Sequence, residues 1–392
     1  AKADEETQRK VLAGFAKRWQ LSPEQIEVYL GRMHNEDETV PLKVEEWKGR
    51  HIADLRAMDI PLFIWGPGGI GKSDIVAQDA LAQRAAAVAR LGLPDTEATA
   101  AMAAPISDGT YYGLCDYRVY LREQVDAMGL PHITAEGVTA YAKPADLPND
   151  PNWRGTIFFD EFCIGNPSQQ SPAMQIFLGK GVGAFKLPRH AYLIAASNRQ
   201  SDRGMFHRLL DPLADRVTHI DLEADLGDWL TWATRAGLPS ETPAFLRFRP
   251  HLLHSYDPQR KWHAPTSPRG WADVARITQH RSTVEADLIR GRVGDAAGGE
   301  YLAFLKLARE MISPDEILKD PNRGDVPTNA AVLYALAEAL ARRATPVTWP
   351  AVMIYARRMP KEYAQCMISN AVLVMPALCN TSEYIDWAAR NG

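Results

Sequence analysis

The stretch from Phe63 to Asp74 constrains this chain more than any other. It reads Phe-Ile-Trp-Gly-Pro-Gly-Gly-Ile-Gly-Lys-Ser-Asp, and an apolar run, Ile60 to Trp65, leads into it. Within it, Gly66, Pro67, Gly68, Gly69, Ile70, Gly71, Lys72 and Ser73 spell G-x-x-x-x-G-K-S, and a helix-compatible segment runs from Ser73 to about Arg90. Strand, glycine loop and helix in that order make a phosphate-binding loop, because successive backbone N–H groups can turn inward on a triphosphate. The positive end of the helix adds to the same anion site. Gly66 through Asp74 are therefore the expected nucleotide-binding residues. Lys72 is expected on the β- and γ-phosphates of ATP, and the Ser73 hydroxyl on its Mg2+.

Composition narrows the setting. At 392 residues the chain is long enough for two domains, or for one large domain with extensions. A net charge of −4 supplies no overall field for nucleic acid or an anionic membrane, although a local basic groove is compatible with it. Cys115, Cys163, Cys366 and Cys379 are scattered without a C-x-x-C pair. They read as reduced, packed thiols of a cytoplasmic protein rather than as a disulfide framework or zinc site. No apolar run approaches membrane-spanning length, and the first residues are charged rather than signal-like.

Along the chain, residues 1 to about 35 carry helical periodicity, with Val11, Phe15, Trp19, Ile26 and Leu30 in step. Residues 51–58 suit a short helix before the phosphate-loop strand. Leu91 to Pro105 is alanine-rich and reads as a surface loop or irregular helix. Tyr117 to Leu121 reads as a strand, and the proline- and glycine-rich span of about 108–150 as an insert. Gly155 to Glu161 is an apolar run ending in two acids, which suits a buried parallel strand delivering carboxylates to a nucleotide. Asp160 then fits a magnesium acid, and Glu161 a base that polarises the attacking water. Gly179 to Phe185 suits a hairpin. Tyr192 to Asn198 is a further strand, with Asn198 placed to orient water. Arg216 precedes a strand at Val217 to Leu222 and is a candidate arginine finger, with Arg203 and Arg208 as substitutes. From Leu226 the strands give way to amphipathic helices. One opens at Thr266-Ser267-Pro268-Arg269, where a first-turn arginine opposes the helix dipole and hints at an anion nearby.

The order of these pieces resembles the AAA+ ATPases, and most closely their MoxR-like branch. Asp116-Tyr117-Arg118, Asp126 to Pro131, Leu147-Pro148, Gly183 to Pro188 and Ala195 to Arg199 carry the likeness, which is strong over residues 50–280. It implies an α/β fold: a P-loop NTPase core with a three-layer parallel sheet, followed by an all-α lid and a helical C-terminal region. The implied division is a helical extension (1–48), the core with its insert (49–223), the lid (224–295) and the C-terminal helices (296–392). It also implies Asn198 as first sensor, Arg216 as the finger presented to a neighbouring subunit, and Arg269 as second sensor. The helical remainder is similar to longer MoxR-like ATPases that are encoded beside a von Willebrand A-type or metallopeptidase-like partner, which implies such a partner here.

The resemblance accordingly implies a ring-forming ATPase, a hexamer, that hydrolyses ATP with Mg2+ to remodel, mature or load a protein client, as a MoxR-like chaperone does. A nucleic-acid motor or loader is the alternative. It calls for a basic stripe interleaved with aromatic residues, against which the acidic balance and the lack of a Lys/Arg run argue. A nucleotide-gated scaffold without hydrolysis conflicts with the full catalytic set.

Overall fold

The computed structural model describes residues 52–202, 206–255, 266–280, 285–323 and 325–391. The helical extension expected over residues 1–48 lies outside them, as does Arg203. The first elements are helix α1 (Ile52–Ala57), strand β1 (Leu62–Trp65) and helix α2 (Lys72–Leu91). The alanine-rich stretch after α2 is helical, α3 (Asp95–Ala103), because alanine favours the helix even where no apolar stripe marks one. Strand β2 (Gly113–Arg118) follows. The strand expected at Tyr117 to Leu121 thus lies earlier, and Val119–Leu121 forms a 3-10 turn instead. Helix α4 (Gln124–Met128) and the antiparallel ribbon of β3 (Pro131–Ile133) and β4 (Thr139–Tyr141) come next.

Strand β5 (Arg154–Asp160), helix α5 (Pro167–Gly179), the small ribbon of β6 (Gly181–Val182) and β7 (Phe185–Lys186), and strand β8 (His190–Ser197) match the sequence reading closely. Helix α6 (Asp211–Ala214) and strand β9 (Thr218–Asp221) complete the sheet. Its order is β2-β5-β8-β1-β9, all parallel.

Both faces of this sheet are covered, so its strands are apolar nearly throughout. Alternation sorts their side chains. Leu62, Ile64, Phe158, Ile194 and Ala196 pack with Ile75 and Val76 of α2 on one side. Phe63, Ile157, Phe159, Leu193 and Ala195 pack with Ile176 and Phe177 of α5 on the other. At about 0.8 kcal/mol per buried methylene, this double burial makes the sheet the rigid frame to which the loops at its ends are fixed.

A helical part follows: α7 (Leu226–Arg235), α8 (Glu241–Phe248), α9 (Pro268–His280), α10 (Glu285–Val293) and α11 (Asp295–Arg309). It has its own core around Trp229, Phe245, Trp271, Tyr301 and Phe304. The last helices, α12 (Pro314–Lys319), α13 (Ala330–Ala341), α14 (Trp349–Ala356), α15 (Lys361–Val374) and α16 (Ser382–Asn391), enclose a further cluster centred on Leu336, Trp349 and Met367. A buried polar knot joins the two parts. Arg247 of α8 donates to Glu338 of α13 (3.0 Å) and to Asn370 of α15 (2.7 Å), and Asn370 donates to Glu338 (2.7 Å). Among the described residues no helix is long and apolar enough to cross a membrane.

Candidate nucleotide site

The loop between β1 and α2 is built from backbone, and two glycines show why. Gly69 has φ +79° and lies so close to α9 that a Cβ there would sit 2.9 Å from the Ser267 hydroxyl. Gly71, at φ +99°, caps α2 without any side-chain hydrogen bond, which leaves the helix's first N–H groups facing the loop. The loop is hung between strands: Gly66 N–H donates to Ser197 O at 3.3 Å, and Leu222 N–H donates to Trp65 O at 2.8 Å.

Lys72 is buried and folded back into this loop. Its ammonium donates to Gly66 O (2.6 Å), Pro67 O (2.9 Å) and the Asn198 amide oxygen (2.9 Å). Burial lowers its pKa from 10.5 to about 8, against the opposing pull of Asp160 and Asp202. Beside it, the Ser73 hydroxyl donates to Asp160 at 2.7 Å. Asp160 is itself buried and accepts the Glu161 N–H at 2.9 Å. Glu161 has left-handed backbone (φ 52°, ψ 39°), a conformation rare for a residue with a side chain and common at functional sites. The structure thus brings together Lys72, Ser73, Asp160 and Asn198 by direct contact, with Glu161 adjoining Asp160.

A hydroxyl and a carboxylate side by side at the mouth of a glycine loop are the hard oxygen donors that Mg2+ takes, with phosphate oxygens and water filling its remaining positions. Among the described residues there is no cluster of three or more His, Cys, Asp or Glu that could hold a metal by itself. Ser73 and Asp160 therefore fit a magnesium ion that arrives with a nucleotide.

Arg269 adjoins the loop as well. Its backbone N–H donates to Gly69 O at 3.1 Å, while Ser267 caps α9 by accepting the Gly270 N–H at 3.1 Å. A cleft of about 420 Å³ opens here between the loop and the helices, with Gly69, Gly71, Asp74, Trp229, Trp232 and Arg269 along its wall. The two tryptophans escaped sequence reasoning, since their spacing reads as an amphipathic helix face and nothing local marks them. Arg199 escaped it too. Its guanidinium reaches across the end of β1 to Asp221 (2.7 Å) and Leu222 O (3.1 Å), clasping β8 to β9 directly above the loop.

Arg216 stands apart from this cluster. It is exposed, donates to Pro212 O at 3.1 Å and lies 3.9 Å from Asp215. Arg208 pairs with Asp211 at 2.7 Å.

A phosphate loop leads from β1, paired acids end β5, and an asparagine follows β8, the strand between them. That strand order, with helices after β9, decides the architecture. The core is a P-loop nucleotide-binding α/β fold. No protein-family profile and no curated protein matches the chain. Solved structures do. NtrX from Brucella abortus in complex with ATP is 11% identical, with 93% of this chain and 72% of that chain covered and a TM-score of 0.37. Its complex with ADP gives 13%, 93%, 72% and 0.37. A RuvB variant from Thermotoga maritima is 13% identical over 76% of this chain and 80% of its own, with a TM-score of 0.34. At such identities and scores these likenesses carry no argument, and the fold rests on the strand order and the loop.

Proposed function

We propose that this chain is a ring-forming AAA+ ATPase that couples ATP binding and hydrolysis to the remodelling, maturation or loading of a protein partner, in the manner of MoxR-like chaperones. The observation that carries the reading is the convergence of Lys72, Ser73, Asp160 and Asn198 on the mouth of one glycine loop. When ATP binds, Lys72 exchanges carbonyl partners for phosphate oxygens, and the α2 N-terminus and loop amides hold the same charge. Ser73 and Asp160 would hold Mg2+, which would supply positive charge beside the phosphates. Glu161, free at the end of β5, takes the proton of the attacking water, and Asn198 orients that water. Arg269 senses the nucleotide from the helical lid.

Arg216 makes its contacts within its own turn, which supports a role toward a neighbouring subunit and hence a ring, of six copies by the family resemblance. The same resemblance suggests a von Willebrand A-type or metallopeptidase-like client and a cytoplasmic setting. The insert ribbon β3–β4 and the β6–β7 ribbon are the proposed client contacts.

Glu161→Gln tests the assignment. It should bind ATP as the parent does and turn it over at least about a hundredfold more slowly. With ATP present it should elute as a ring and retain its client for mass spectrometry. Parental turnover by this variant would sink the proposal.

A further inference from the structure

The β3–β4 and β6–β7 ribbons stand outside the five-stranded sheet, and residues of both line one cleft. Met128, at the foot of the first, sits where a Cβ on Gly183 of the second would lie 3.5 Å from its Cε. Between them is a cleft of about 480 Å³ with a floor of buried Phe185 and a wall of exposed Tyr141. Lys143, Lys186 and Arg189 line it, and no carboxylate does. None of the three has an ion-pair partner among the described residues. In a chain whose net charge is −4, three unpaired cations around an apolar floor form a local inversion of sign. The ribbon beside them presents Ile133 at 78%, Leu130 at 64% and Val138 at 62% exposure, far more than a closed core would leave.

We propose that this cleft binds an acidic, apolar-rich peptide segment of a protein partner, its carboxylates on Lys143, Lys186 and Arg189 and its apolar side chains on Phe185, Tyr141 and the ribbon. Only the use of this contact rests on the proposed remodelling activity; the binding itself needs no nucleotide. Charge complementarity and the apolar floor select this occupant. Single-stranded nucleic acid would require exposed ring faces for base stacking, and the cleft offers one exposed aromatic residue. The position is independent of the nucleotide site. Arg189 precedes the first residue of β8 and Asn198 follows its last, so the length of that eight-residue strand, about 25 Å, separates them.

The test is fluorescence anisotropy on the full chain with a short labelled peptide of repeating Glu-Leu-Ser, its Lys-Leu-Ser counterpart, and a labelled oligothymidylate. The acidic peptide should bind, and raising the salt should weaken it. The double variant Lys186→Glu, Arg189→Glu should bind it about tenfold or more weakly, with circular dichroism and basal ATP turnover unchanged. Lys143→Glu alone should give a smaller loss in the same direction. Equal binding of the two peptides, or undiminished binding by the double variant, would overturn the proposal. So would oligothymidylate binding that is tighter than peptide binding and lost in the same variant, since that identifies a nucleic-acid groove. Peptide binding without any ATP turnover would refute the ATPase reading and leave this one standing.

Discussion

Raising the pH from 7 to 9 should weaken nucleotide binding about tenfold and draw a proton onto the protein, because the buried Lys72 ammonium titrates near pH 8 when no phosphate is beside it. At pH 7 it is charged about ten to one, and at pH 9 neutral about ten to one. Phosphate oxygens in the loop restore the charged form and return its pKa toward 10.5, so the bound state keeps its proton across the range. The cost of recharging Lys72 at pH 9 is then about 1.4 kcal/mol, with nearly one proton taken up per nucleotide. Asp160 and Asp202 favour the charged form and Arg199 and Arg269 oppose it, so their balance is part of the effect. A phosphate's own last proton titrates near about pH 6, below this window. Isothermal titration calorimetry with ATP, in buffers of differing ionisation enthalpy, reads affinity and proton uptake together. Lys72→Arg, which cannot titrate here, should bind weakly with no slope. Affinity that is flat from pH 7 to 9 without proton uptake would refute the reasoning, as would the same slope in the arginine variant.

Three further outcomes are expected. Arg216→Ala should bind ATP normally and lose about a thousandfold or more in turnover. Mixing it with Lys72→Met, whose Arg216 is intact, should restore part of the rate, and failure to do so would remove the trans role. Arg84, 1% exposed, donates to the carbonyls of Ala104, Pro105, Asp108 and Tyr112 at 2.7 to 2.9 Å. Arg84→Met should therefore cost about 3 kcal/mol or more in urea unfolding, since it orphans several buried carbonyls. Gly129, at φ +84°, is packed so tightly on the Ala142 carbonyl that Gly129→Ala should loosen the β3–β4 ribbon. Faster amide exchange across residues 131–141, with ATP affinity unchanged, would show it.

What could be read from the sequence was what is local in it. The phosphate loop, the Asp160-Glu161 pair and Asn198 each lie where a strand stops, and an apolar run that ends in a polar residue announces itself. Strand β2 was harder. Cys115 is only partly buried and Asp116 is exposed because β2 is the sheet's edge, so the apolar run beginning at Tyr117 drew the reading three to four residues late. The cleft wall was out of reach altogether. Gly69 meets Ser267 and Arg269 through chain closure, and Trp229 and Trp232 carry no sign beyond helical spacing. The basic cleft is hidden for the same reason, since Lys143 is far in sequence from Lys186 and Arg189 and the three form no run.

The Arg199 clasp has a mechanical meaning. Leu222, whose carbonyl it holds, is three residues before Asp225, and Asp225 caps α7 by accepting the Asp228 N–H at 2.9 Å. The ten-residue helix α7 is about 15 Å long and is clamped at its far side into the core around Trp271. Arg199 therefore ties the residue after Asn198 to the segment that starts α7, so the end of β8 and the first of the following helices are held to one anchor.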